Sequence, residues 1–234
     1  MQVPNIGVRA RGFTLIELMI VLVVIAVIVT ISIPALLSSK LQTNETAALA
    51  AVRNIVQAQL NFAGRRAADL NGNGSGEFAT IGELSAGIAV RAAAGGTDTL
   101  DPPELANSFR SVSAEGLVAR QGYFFRVFLP DALDNGVPEL AGGGANATVD
   151  AERAESLWCI YAWPQQYGAT GLKTYFANAN GDILFTDDAR YTGRTAPIAA
   201  GAALEAPGAL TSMNGVIATA GIGRDGATWK ITGR

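Results

Sequence analysis

An apolar run of membrane length near the amino terminus constrains this chain more than any other feature. Residues 13–33 carry no charged side chain except Glu17. As an α-helix the run spans about 30 Å, the thickness of the hydrocarbon core of a bilayer. The run is rich in Ile and Val, which favour strands in water, but in lipid every backbone N–H and C=O must be paired within the segment. The run therefore predicts a transmembrane helix.

Glu17 lies near the start of this run, where its charge needs an explanation. An ionised carboxylate at membrane depth costs about 3 kcal/mol on insertion scales, so a partner or a function is expected for it. A cut between Gly12 and Phe13 would create a partner, because the new α-amino group would be cationic at neutral pH and about one helical turn away. Pairing within one helix and pairing between staggered neighbouring helices are both open, and the second would fix a register between subunits.

Residues 11–17, Arg-Gly-Phe-Thr-Leu-Ile-Glu, follow a short basic leader and resemble the processing signal of type IV pilins and type II secretion pseudopilins. The resemblance implies that a prepilin peptidase cleaves after Gly12 and methylates the amine of Phe13. It also implies a filament of identical or homologous pilin subunits, assembled on an inner-membrane platform through Phe13 and Glu17. Pro34 fits this pattern, since such pilins carry a helix proline here, and proline removes a hydrogen bond and kinks a helix.

Two plainer interpretations of the run explain less. A secretory signal has an apolar region of roughly 7 to 15 residues followed by a small-residue cleavage site, and no such pattern precedes Ala35. A simple single-pass anchor explains the length of the run but not Glu17. Arg9 and Arg11 precede the run, and Lys40 is the nearby cation after it. This charge asymmetry predicts a cytoplasmic amino terminus and an exported carboxyl-terminal domain.

Helical spacing of apolar residues continues after Pro34 and predicts an amphipathic continuation of the helix over residues 35–68. The apolar positions are Leu37, Leu41, Ala48, Val52, Ile55, Val56, Leu60 and Ala63. Polar residues such as Asn44 and Arg53 take the opposite side. The apolar face must be covered, so we expect the exported domain to pack on it.

Four apolar or aromatic runs bounded by turn residues predict the strands of an antiparallel sheet. They are residues 122–129, 157–163, 173–177 and 182–185. Asn180-Gly181 lies between the last two and predicts a hairpin with a type I′ turn. The expected fold class is α+β, a long amino-terminal helix packed against a carboxyl-terminal antiparallel sheet in the pilin manner.

Short patterns in the rest of the chain predict individual hairpins, helices and loops. Residues 216–222 and 227–231 predict a further hairpin, residues 81–84 a short helix, residues 101–104 the start of another helix, and residues 142–146 and 195–210 long loops. The predicted domains are a leader (1–12), a membrane or filament-core helix (13–34), its amphipathic continuation (35–68) and an exported domain (69–234).

The composition argues against several classes of function. Histidine is absent from the 234 residues, which removes His-based triads, bases and metal ligands. Cys159 is the only cysteine, so no internal disulfide can form, and its apolar surroundings predict a core residue. A formal net charge of -3 offers no basic surface for nucleic acid. We expect a protein that is not an enzyme and has no nucleic-acid partner.

Residues 69–77 resemble the start of a calcium loop. Oxygen donors recur at Asp69, Asn71, Asn73, Ser75 and Glu77, with a glycine at the sixth place. This alternation turns successive oxygens inward, as in EF-hand loops, but the twelfth place holds Thr80 and not glutamate. We expect at most weak Ca²⁺ binding, with a Kd on the order of 10⁻⁴ to 10⁻³ M. A polar turn that ends the helix is the open alternative.

A second group of oxygen donors follows the predicted hairpin. Asp182, Asp187 and Asp188, with Asn178 and Asn180, form a weaker candidate for a cation. The hairpin already explains the Asn-Gly pair within this group.

The leading hypothesis is a structural subunit of a type IV pilus or type II secretion pseudopilus. Such a subunit lies first in the inner membrane as a single-pass protein with a periplasmic domain, and then in a filament. Two alternatives are open. One is a minor tip pilin that acts in adhesion or substrate binding through the long loops. The other is a membrane-anchored exported protein that does not polymerise.

Overall fold

The structure, a computed structural model, describes residues 12–92 and 96–232. The chain divides into two units, Met1–Lys40 and Leu41–Arg234. Helix α1, Leu15–Gly64, contributes to both. The second unit also contains the short helices α2 (Ile81–Leu84) and α3 (Ala151–Ala154), and 3-10 turns at Asn107–Phe109 and Ala141–Gly143.

In the first unit, the described residues 12–40 are all solvent-exposed. From Leu18 to Leu37 their helical part carries no charge and is apolar on every side, as the sequence predicts for a segment that lies in lipid or among other helices. Within the described part of the chain, α1 is the one helix long and apolar enough to cross a membrane.

The second unit is built on one antiparallel sheet. Its strands are β1 (Val118–Arg120), β2 (Tyr123–Pro130), β3 (Gly136–Pro138), β4 (Cys159–Pro164), β5 (Thr174–Asn178), β6 (Ile183–Thr186) and β7 (Lys230–Ile231). The spatial order is β1-β2-β4-β5-β6-β7, with β3 paired to β2. The four strands predicted from sequence are β2, β4, β5 and β6, and the α+β fold class is confirmed.

Both faces of the sheet are buried, which explains the nearly continuous apolar sequence of its central strands. Alternate residues of β2, such as Phe125 and Val127, pack with the α1 face that carries Val52, Ile55 and Phe62. The intervening residues point to the face away from α1, called here the outer face. Residues from the segment 196–229 cover that face, among them Ala203, Leu204, Ile217 and Trp229.

Buried polar groups fasten α1 to the rest of the second unit. The Gln59 side-chain amide donates to the Ala79 carbonyl at 2.7 Å and accepts from the Ala79 N–H at 2.8 Å. Glu45 accepts from the Leu172 N–H at 2.9 Å and pairs with Lys173 Nζ at 3.1 Å. Because these partners are specific, they fix the position of the helix along the sheet as well as its contact with it.

Helix α1 ends at Gly64. The apolar spacing predicted that it would continue to residue 68. The Ala67 N–H donates to the Phe62 carbonyl at 3.3 Å, and the Arg66 N–H donates to the Ala63 carbonyl at 2.9 Å. These two bonds define a Schellman motif with Arg66 in the left-handed conformation at φ 53°. The prediction was wrong because the residue with positive φ is an arginine, which carries no sequence signal for a helix end.

The predicted hairpin of residues 216–222 and 227–231 is present close to its turn. Ile222 and Thr228 form an antiparallel bridge, and the Trp229 N–H donates to the Gly221 carbonyl at 3.0 Å. Farther from the turn the two segments have other partners: Ile217 forms a bridge with Leu204, and β7 (Lys230–Ile231) pairs with β6.

Two other local predictions were wrong. Residues 101–104 open no helix. The turn after β5 is not type I′, because only Gly181 has positive φ (82°) there. Its Gly181 N–H donates to the Asn178 carbonyl at 3.0 Å, which is a type I turn followed by a glycine bulge.

Candidate functional site

Thr14 and Glu17 form reciprocal hydrogen bonds at the start of α1. The Thr14 N–H and hydroxyl donate to Glu17 Oε2 at 2.9 and 2.8 Å, and the Glu17 N–H donates to Thr14 Oγ1 at 3.2 Å. This is a capping box, in which two side chains three residues apart satisfy the first N–H groups of a helix. Thr14 was not predicted as a site residue, although a threonine three residues before a glutamate is the sequence signal for this cap.

The predicted processing site lies just before this cap. Gly12 and Phe13 precede the first helical residue, and Phe13 is 78 % exposed. Exposed backbone outside a helix is the kind of segment that proteases cleave. The remainder of the predicted leader, residues 1–11 with Arg9 and Arg11, lies outside the described residues.

Pro34 lies inside α1, which continues across it. Proline has no N–H, so the carbonyl of Thr30, four residues earlier, lacks its helical donor. The hydroxyls of Thr30 and Ser32 donate back to the carbonyls of Ala26 and Ile28, both at 2.8 Å. Back-bonding of this kind satisfies hydroxyls in apolar surroundings and loosens a helix slightly. The segment thus concentrates the features that allow a helix to bend.

The Asp69 loop, residues 69–77, uses several of its oxygens to bind its own backbone. Asp69 Oδ2 accepts from the Gly74 N–H at 3.0 Å, Asn71 Oδ1 from the Asn73 N–H at 3.1 Å, and Asn73 Oδ1 from the Ser75 N–H at 2.8 Å. These bonds are those of a polar turn, the structure predicted as the alternative to a calcium loop.

Glu77 is turned into the protein, with a side chain only 1 % exposed. It accepts from the Leu70 N–H at 2.7 Å, and its other oxygen lies 3.3 Å from an Arg91 guanidinium nitrogen. Burial raises the pKa of Glu77, against the opposing effects of Leu70 and Arg91. Its structural role is to close the base of the Asp69 loop.

Glu155, just after α3, joins the Asp69 loop from a distant part of the chain. The side-chain amides of Asn71 and Asn73 donate to Glu155 Oε1 at 2.7 and 2.8 Å. Asp69 Oδ1 is buried and has no hydrogen-bond partner among the described residues. The loop therefore presents an unsatisfied carboxylate oxygen and a second carboxylate that no local sequence pattern could have revealed.

In the second acidic group, residues 178–188, two of the carboxylates form ion pairs with basic side chains of the protein. Arg190 pairs with Asp188 at 2.6 Å, and Lys230 pairs with Asp187 at 3.4 Å. Within residues 12–92 and 96–232, no three His, Cys, Asp or Glu side chains form a group placed to hold a metal ion.

The exposed apolar helix, its Thr14–Glu17 cap and the methylation motif that includes them indicate a type IV pilin-like exported protein. Residues 8–33 match the family model described as the prokaryotic N-terminal methylation motif, which confirms the resemblance seen in residues 11–17. Residues 34–200 match the model described as protein of unknown function (DUF2950), and the chain belongs to that family. Comparisons with curated proteins and with solved structures found no match.

The methylation motif has direct consequences for this chain. It implies processing by a prepilin peptidase and association with a membrane through the amino-terminal apolar helix. It also indicates a structural protein more than a catalytic one.

Proposed function

We propose that this protein is a structural subunit of a type IV pilus or type II secretion pseudopilus. The observation that carries the proposal is the fully exposed apolar run of residues 13–33, which is helical from Leu15 and has a single carboxylate, Glu17, in its first turn. In a helix that only anchors a protein in lipid, a carboxylate at this depth costs about 3 kcal/mol, more than the roughly 1 kcal/mol that a cap contributes. A helix that must bind a neighbour in a defined register does gain from one.

In the proposed assembly, the peptidase cleaves between Gly12 and Phe13 and methylates the Phe13 amine. The precursor lies in the inner membrane with its amino terminus in the cytoplasm and its second unit in the periplasm. A membrane platform then transfers the helix from lipid into the filament. Lipid and filament interior are both apolar, so burial alone gives little direction to this transfer. The Phe13 amine of one subunit and Glu17 of another supply the register, and Pro34 lets the helix bend.

Two measurements separate this proposal from its alternatives. A major subunit would dominate sheared filaments, whereas a minor tip pilin would be scarce in them. A membrane-anchored protein that does not polymerise would be absent from the filament fraction even after processing.

Leader removal should depend on Gly12. Glycine has no side chain to obstruct close approach of a peptidase to the backbone. Intact-mass analysis of the purified wild-type protein should therefore find Phe13, methylated, as the first residue, and Gly12→Lys should retain the leader. Gly7→Lys places the same side chain away from the scissile bond and should be processed normally. An uncut wild-type chain would refute both the cleavage and the assembly that depends on it.

We also propose weak Ca²⁺ binding by the Asp69 loop, through Asp69, Asn71, Asn73 and Ser75, with Glu155 as an added carboxylate. Two features support it: the unsatisfied Asp69 Oδ1 and the approach of Glu155 to both asparagines. A buried carboxylate oxygen without a donor is costly, and a cation would remove that cost. Glu77 is held by Leu70 and Arg91 and takes no direct part.

Calcium should raise the melting temperature of the full chain in detergent. About 5 mM Ca²⁺ should stabilise the wild type by roughly 1.4 kcal/mol, or about 3–5 °C, if the Kd is about 0.5 mM. Asp69→Ala should abolish this shift, and Asp182→Ala, which removes an exposed carboxylate elsewhere, should preserve it. An equal shift with Mg²⁺, or none with Ca²⁺ in the wild type, would contradict the site.

A further inference from the structure

A cavity of about 220 Å³ opens at one end of the outer face of the sheet. Its floor is formed by buried side chains of β4, β5 and the covering segment, including Cys159, Phe176, Leu204 and Met213. Its rim carries Ser156, Asn178, Asn180 and Asn214. The cavity lies wholly in the second unit, so its properties are independent of the amino-terminal helix and of polymerisation.

The cavity presents no charge to a ligand. Of the thirteen described residues that line it, none is Asp, Glu, Lys or Arg. The Cys159 thiol is also neutral, because burial raises its pKa. Two charged groups lie just outside the lining. Arg224 donates to the Asn214 carbonyl at 2.9 Å and to three further backbone carbonyls. Asp134 lies 3.5 Å from the Asn214 amide and is paired with Arg153 at 2.6 Å. Neither group lines the cavity, so a charged ligand would lose its hydration here without a direct counter-charge.

The rim retains hydrogen-bonding groups that the protein does not use. Asn178 Oδ1 accepts from the Asn180 N–H at 3.1 Å, which leaves the Asn178 NH₂ group available. Among the described residues, the side-chain amide of Asn180 makes no hydrogen bond, and Asn214 Oδ1 accepts none. Ser156 Oγ donates to the Arg153 carbonyl at 3.2 Å and keeps its acceptor lone pairs. The rim therefore offers both donors and acceptors, drawn from separate segments of the chain.

We propose that this cavity binds one ring of an uncharged saccharide. Sugar hydroxyls donate and accept at once, which matches amide and hydroxyl groups better than charged ones. The floor side chains Phe176, Leu204 and Met213 are almost wholly covered by their neighbours, so the hydrogen-bonding groups of the rim carry the binding. The volume lies below the roughly 300–1,000 Å³ of pockets that hold drug-sized ligands, which limits the occupant to a single ring.

The test is ligand-observed NMR by saturation transfer, on the full chain in a zwitterionic detergent without a sugar headgroup. Glucose, galactose, mannose and N-acetylglucosamine are compared with glucuronate and glucosamine, which carry a charge on the same ring. At least one neutral sugar should bind with a Kd on the order of 1 mM, the value that a ligand of this size normally reaches. Its charged counterparts should bind at least about tenfold more weakly.

Variants at the rim test whether the sugar binds in this cavity. The double variant Asn180→Ala, Asn214→Ala removes rim groups that hold no secondary structure and should weaken binding at least about tenfold. Ser156→Trp should block the rim, while Asn54→Ala, an exposed amide on α1, should bind as the wild type does. Unchanged melting temperatures establish that the variants are folded. No transfer from any neutral sugar at about 50 mM, equal binding of charged sugars, or full binding by the folded double variant would each overturn the proposal.

Discussion

Replacement of Glu17 by alanine is expected to leave leader removal intact and to lower incorporation into filaments by at least about 100-fold. The variant keeps Gly12 and Phe13, so the peptidase site is unchanged. It leaves the Phe13 amine of a neighbouring subunit without its counter-ion in an apolar filament interior. Removing one partner of a buried ion pair costs about 3 kcal/mol or more, which corresponds to about 100-fold. The measurement is the ratio of subunit in sheared filaments to subunit in membranes, with the mature amino terminus confirmed by mass.

Thr14 makes this experiment more specific, because it gives Glu17 a second role within its own helix. Thr14→Val removes the hydroxyl that bonds Glu17 and preserves the shape of the side chain. If Glu17 acts through the neighbouring amine, Thr14→Val should reduce incorporation less than about tenfold, the cost of losing a cap. Equal losses in the two variants would assign Glu17 to the cap, and normal incorporation of Glu17→Ala would refute its role in assembly.

The fold was predictable where a local pattern determined the structure. β2 reads Tyr-Phe-Phe-Arg-Val-Phe-Leu-Pro, an aromatic and branched run with no helical period, bounded by Gly122. Residues 216–231 also contain apolar residues, but Ile217 and Trp229 pack against the outer face of the sheet. The pairing of Ile222 with Thr228 follows from the local turn, whereas Ile217 pairs with Leu204 and β7 pairs with β6. The partner of such a segment is set by tertiary packing, which a local pattern cannot reveal.

The candidate site residues were likewise predictable only where they lie close together in the sequence. Gly12, Phe13 and Glu17 lie within one continuous motif, so their association was visible in the sequence. Thr14 was equally visible as part of a capping box. Glu155 was not, because it reaches the Asp69 loop from 84 residues beyond Asn71. The rim of the outer-face cavity likewise depends on segments that meet only after the chain has folded.

A buried ionic cluster beneath α2 is a further feature that the sequence did not reveal. Glu83 is fully buried and accepts from the N–H and Nε of Arg91 at 3.0 and 2.8 Å. It also accepts from the N–H and hydroxyl of Thr80 at 2.9 and 3.1 Å. Nearby, Glu139 accepts from two N–H groups at the start of α2, and burial raises its pKa to about 8. Arg91 is thus the cation that compensates Glu83 and Glu77.

Replacement of Glu83 by alanine should therefore lower the free energy of unfolding by about 3–5 kcal/mol. The variant removes four hydrogen bonds at once and leaves the Thr80 N–H without an acceptor inside the protein. Arg91, whose side chain is only 14 % exposed, would keep Glu77 as its remaining carboxylate partner. Urea unfolding of the full chain in detergent, followed by tryptophan fluorescence, measures the change.

Glu152→Ala provides the matched control, because Glu152 is an exposed glutamate in the first turn of α3. Surface substitutions of this kind normally change stability by less than about 0.5 kcal/mol. Arg91→Met should resemble Glu83→Ala, since it leaves Glu77 and Glu83 buried without a cation. A double variant that loses much less than the two single losses combined would show that Glu83 and Arg91 act as a pair. A Glu83→Ala protein as stable as Glu152→Ala would mean that this cluster does not stabilise the fold.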